Sequence, residues 1–64
     1  MVERKYRYVG EPMLTRGDYG VSVEGGHTRE DDPDGIYVHD PDFGEFVWCR
    51  VEDAERCGMV PAED

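Results

Sequence analysis

Glu45-Phe46-Val47-Trp48-Cys49-Arg50-Val51-Glu52 is the most strand-like stretch of the chain. It holds β-branched and aromatic residues, no Gly or Pro, and a period-two alternation. Read as a strand, it turns Val47, Cys49 and Val51 toward a core and Phe46, Trp48, Arg50 and Glu52 the other way. Just upstream, Pro41-Asp42-Phe43-Gly44 has type I turn chemistry, and Ile36-Tyr37-Val38-His39-Asp40 reads as a short partner strand. Downstream, Asp53-Ala54-Glu55-Arg56 is a turn, one helical turn at most, and Met59-Val60-Pro61 resumes extended structure.

The N-terminal half continues the pattern. Lys5-Tyr6-Arg7-Tyr8-Val9 is a strand ended by Gly10, and Gly17-Asp18 is a turn pair. Tyr19 to Glu24 follows as a strand with Tyr19, Val21 and Val23 on one face, closed by Gly25-Gly26. The segment from about 25 to 35 reads as a long, polar, exposed loop. Eight Gly and four Pro are spread so that few ten-residue stretches escape both, which disfavours helix. Four to five short antiparallel strands with polar turns make an all-β fold, and a small barrel would hide the sheet edges.

The C-terminal third carries a resemblance. Trp48-Cys49-Arg50-Val51 running to Cys57-Gly58-Met59-Val60-Pro61-Ala62-Glu63 resembles the second half of an SH3 domain. In that family a tryptophan opens a strand, a tight hairpin follows, and Gly-hydrophobic-Val-Pro leads into a one-turn 3₁₀ helix. Leu14-Thr15-Arg16-Gly17-Asp18 is similar to the family's Leu-x-Lys-Gly-Asp turn, and Tyr6-Arg7-Tyr8 stands where Tyr-Asp-Tyr would. The segment between the tyrosines and Gly17 is shorter than the family's, and the insert from Gly25 to Phe46 is longer. Asp64 stands in place of the motif's last tyrosine. The resemblance implies an SH3-like barrel over residues 1–64, with one 3₁₀ turn near the C-terminus and a peptide pocket that Tyr6, Tyr8, Trp48 and Pro61 could still serve.

Composition narrows function by exclusion. Sixteen Asp and Glu against seven Lys and Arg give a formal charge of −9 over 64 residues. Direct nucleic-acid binding is disfavoured, since a phosphate backbone needs the opposite sign. No apolar run approaches the length of a membrane span, and Met1 to Tyr6 has no signal-like apolar segment; a cytoplasmic domain is expected. One Lys, one Ile and no Asn or Gln, beside six Arg and eight Gly, is the skew of a GC-rich coding sequence, as in a high-GC bacterium or its phages.

Neither catalysis nor a cofactor is expected. No nucleophile motif, P-loop or metalloprotease helix is present, and two histidines in polar context are most simply solvated. Cys49 and Cys57 with His27 and His39 lack the close ligand pairs of a zinc site. A turn at 53–56 would set the two thiols on opposite faces, so both are expected to stay reduced. Asp31-Asp32-Pro33-Asp34-Gly35 and Asp40 to Glu45 echo calcium loops without the distal bidentate Glu, and Asp-Pro-Asp-Gly is ordinary turn chemistry.

What remains is binding. Exposed aromatics are frequent interface anchors, so Tyr6, Tyr8, Tyr37, Phe46, Trp48 and Pro61 are the candidate contacts; the blander reading of Trp48 is an extension of a thin core. Glu30, Asp31, Asp32, Asp34, Asp40, Asp42 and Glu45 form a candidate acidic steering surface. The expected function is a monomeric acidic module that occupies a basic surface on another protein. The alternatives are a DNA mimic that inhibits a nucleic-acid-binding protein and a small structural or virion component.

Overall fold

The computed structural model describes residues 3–62. Five strands, β1 (Lys5–Tyr8), β2 (Gly25–Arg29), β3 (Asp32–Asp40), β4 (Gly44–Arg50) and β5 (Met59–Pro61), form one antiparallel sheet in the order β4-β3-β2-β1-β5. No α-helix is found among the described residues, only 3₁₀ turns at Gly17–Tyr19 and Val51–Asp53. The fold is therefore all-β, as the alternation predicts. Tyr6, Val23, Ile36, Val38, Ala54 and Met59 are its buried core, with Tyr8, Phe46, Trp48, Cys49 and Val51 packed around them. Glu63 and Asp64, which enter the resemblance above, lie outside the described residues.

The expected strand over Tyr19–Glu24 and the loop over 25–35 are both corrected. Gly17 takes φ +61° and starts a 3₁₀ turn that leaves Tyr19 87% exposed. The strand begins at Gly25-Gly26, where the sequence suggested an end. These glycines serve close packing: a Cβ on Gly26 would lie 2.6 Å from the Tyr37 carbonyl oxygen and 2.8 Å from Ile36 Cγ2, so only a bare Cα lets β2 nest between its neighbours. His27 and Arg29 point outward around buried Thr28, whose Oγ1 accepts the Arg4 N–H at 2.9 Å. One inward threonine among charged neighbours hides the strand from a hydrophobicity pattern.

The facing of β4 is corrected as well. Ile36 sits opposite Cys49 but Tyr37 sits opposite Val47, so Trp48 is an extra residue, a β-bulge. The alternation slips by one at that point. Phe46 and Trp48 pack against the core while Val47, expected inside, is 48% exposed.

The chain after β4 takes a different course from the hairpin expected. Val51–Asp53 closes a 3₁₀ turn, and Ala54 anchors the next bend by accepting the N–H groups of Cys57 at 3.0 Å and Met59 at 2.8 Å. Gly58, at φ +85°, completes the reversal. β5 then pairs with β1, Tyr8 opposite Met59 and Tyr6 opposite Pro61. The 3₁₀ turn thus precedes Gly58-Met59-Val60-Pro61, and Cys57 is not paired with Glu52.

Candidate functional site

The crossing of residues 51–58 from one sheet edge to the other builds a groove. Tyr8 from the end of β1 and Trp48 from the bulge meet edge to face, 6.3 Å between ring centroids and 78° between planes, a favoured aromatic geometry. Gly10, Met13, Arg56, Cys57 and Gly58 complete an open cleft of about 460 Å³. A Cβ on Gly58 would fall 2.7 Å from a Tyr8 ring carbon, so the glycine that turns the chain also leaves room for the ring. Beyond Arg56 the groove adjoins Glu52, Asp53 and Glu55. Apolar aromatics beside carboxylates suit an apolar anchor flanked by cations.

The candidate contacts separate. Tyr8 and Trp48 come together in the groove. Tyr6 is a core residue, 6% exposed, and its burial takes it out of the contact surface. Phe46 lies half-buried, edge-on to the exposed Phe43 at 6.0 Å. Pro61 is exposed at the end of β5. Tyr37 lies on the outer face, where its hydroxyl donates to Asp32 at 2.6 Å and the Arg29 guanidinium sits 5.2 Å from its ring centroid. That hydrogen bond holds the Asp32 pKa below, and the Tyr37 pKa above, their ordinary values.

The acidic candidates other than Glu30 are engaged within the chain. Asp31 takes both Arg29 Nε and Nη2, at 2.9 and 3.0 Å, which raises the Arg29 pKa. Glu45 lies 2.9 Å from His27 and 3.5 Å from Arg29, Asp42 3.3 Å from Arg16 and Asp34 3.9 Å from Arg50. Glu30 is exposed at the β2–β3 turn. Asp40 is wholly buried and is withdrawn from the surface set. Its carboxylate accepts Thr15 Oγ1 at 2.7 Å, Arg16 Nε at 2.8 Å and the amides of Asp42 and Phe43 at 2.8 and 2.9 Å. Burial opposes its charge, but these donors overcome it and hold the pKa well below the usual range. Asp40 pins the 14–22 segment to the β3–β4 turn, a structural task.

The two thiols do not point apart. Burial pushes Cys49 up to about 12, and the Cys57 thiol adds to this through a side-chain hydrogen bond; both are free and half-buried. The groove residues Gly10, Met13, Arg56, Cys57 and Gly58 and the acids Glu52, Asp53 and Glu55 were not among the expected site. Only the path of β5 brings them together, and no local pattern announces that path.

No family model, curated protein or solved structure matches the chain. The site therefore rests on its geometry. No helix among the described residues is long and apolar enough to cross a membrane.

Proposed function

We propose that this chain is a small acidic protein-binding module of SH3-like kind, which binds rather than catalyses and occupies a basic surface on a partner protein. The observation that carries the reading is the Tyr8–Trp48 pair flooring an open groove. SH3-like character is supported by five short antiparallel strands, by Trp48 on β4 and by Gly58-Met59-Val60-Pro61 entering the last strand. The partner's basic character is supported by the charge of −9 and by Glu52, Asp53 and Glu55 beside the groove. An apolar side chain of the partner enters between Tyr8, Met13 and Trp48, and its Lys or Arg residues meet the carboxylates. Aromatic anchors set the dissociation rate, and the charge speeds encounter.

The test is capture from a lysate of the native host on immobilised protein, followed by titration of the purified partner. Met13 lines the groove and is exposed, so Met13→Lys should keep the fold and lower affinity at least tenfold. Equal affinity of wild type and Met13→Lys for the captured partner overturns the assignment.

A further inference from the structure

The two edges of the sheet differ in what their backbones offer. At β5, the Val9 N–H bonds to Gly58 and the Ala62 N–H bonds to Lys5, so Gly58, Val60 and Ala62 turn toward β1 while Met59 and Pro61 turn outward. The Met59 N–H is taken by Ala54 at 2.8 Å, and Pro61 has none. That edge offers an incoming strand no donor, which is how natural sheets blunt an edge.

The β4 edge is open. The Tyr8 N–H bonds to Glu24 and the Thr28 N–H to Arg4, so the even-numbered residues of β1 and β2 face each other across their ladder. His27 therefore turns to β3, opposite Tyr37. Tyr37 and His39 turn back toward β2, and Val38 and Asp40 turn to β4, opposite Phe46 and Gly44. By the same alternation Glu45 and Val47 direct their N–H and C=O away from β3, toward the open side of the sheet. The exposed side chains of Val47 and Phe43 lie alongside.

Charge decides the occupant. Antiparallel self-pairing through Glu45 and Val47 would set the two copies of Glu45 on one diagonal and join two chains of −9 each, an arrangement like charges oppose. A strand carrying Lys or Arg meets the opposite field. We propose that the β4 edge, through the backbone of Glu45 and Val47, accepts an extended basic segment of a partner protein as a sixth strand. This docking mode uses main-chain hydrogen bonds for affinity and alternate side chains for selection. It goes beyond the groove reading and does not depend on it.

The test uses the full chain and two end-blocked ten-residue peptides, one alternating Lys and Val, the other Glu and Val. Backbone amide exchange is followed by NMR. The Lys-Val peptide should slow exchange at Glu45 and Val47 at least tenfold, and the Glu-Val peptide should bind at least tenfold more weakly. Val47→Pro removes an N–H that bonds to nothing within the sheet, so it should fold and lose the Lys-Val peptide. Val47→Lys, an exposed change, should fold and bind that peptide several-fold more weakly. Equal binding of both peptides, undiminished binding to both variants, or protection confined to the Tyr8–Trp48 groove overturns the proposal. So does slow exchange at Glu45 and Val47 in the free protein that grows with protein concentration.

Discussion

Ile36 should tolerate the loss of one carbon and not of three. It is 0% exposed, lies across from Cys49 beside the Trp48 bulge, and touches the space that Gly26 leaves vacant. Ile36→Ala removes three carbons worth about 0.8 kcal/mol each in transfer. The unfilled cavity adds to this, which places the loss in the upper half of the roughly 2–5 kcal/mol seen for such changes. At roughly 0.05–0.15 kcal/mol per residue, a chain of this length has only about 3–10 kcal/mol in all. Ile36→Val should cost about 0.5–1.5 kcal/mol. Urea titration followed by Trp48 fluorescence reads both, with a slope near about 1 kcal/mol per molar for so small a domain. Ile36→Val should lower the midpoint by about 1 M, and Ile36→Ala should leave the chain largely unfolded without denaturant or close to it. A fall of less than about 1 M for Ile36→Ala would show that the core does not centre on this residue.

Val47→Asp should leave the urea midpoint nearly unchanged while Phe46→Asp prevents folding, since the bulge turns Phe46 inward and Val47 out; the reverse order would contradict the register. Asp40 has a lower pKa in the fold than the value of about 3.9 expected when unfolded. Its stabilisation is therefore complete above that pH and lost as pH falls through the folded value. Asp40→Asn should be less stable than wild type at pH 7, and acid titration by circular dichroism should show the difference shrinking steadily as the pH falls below about 4; parallel curves would refute this. With Cys49 pushed up to about 12, iodoacetamide at pH 8 should label Cys57 first, because the thiolate is the nucleophile. Faster labelling at Cys49, located by peptide mass mapping, would count against the packing of β4.

Alternation and turn chemistry made β1, the core of β3 and the run through β4 legible, because each is a local property of neighbouring residues. Asp40-Pro41-Asp42-Phe43-Gly44 announced its turn equally well, with Asp40 capping the amides of Asp42 and Phe43 and Gly44 at φ +101°. The bulge was not legible: Phe46-Val47-Trp48-Cys49 alternates equally well in either phase until a partner strand fixes the slip. Gly25-Gly26 looked like a terminator because glycine does both jobs, and only the neighbouring strands show that close approach is the one used here. Asp40 looked like its acidic neighbours although Thr15 and Arg16, distant in sequence, draw it inside. Trp48 stands out in the sequence as the chain's one tryptophan, yet its companions in the groove depend on β5 crossing to β1.

The single tryptophan makes the central claim directly testable. The chain is labelled with 5-fluorotryptophan, and its one ¹⁹F resonance is followed while the purified partner is added. Occupancy of the groove between Tyr8, Met13 and Trp48 predicts a saturable shift of that resonance in the wild type, and in Met13→Lys a shift that needs at least tenfold more partner to saturate. An unchanged resonance at saturating partner, with binding confirmed by calorimetry, would place the contact elsewhere and contradict the account.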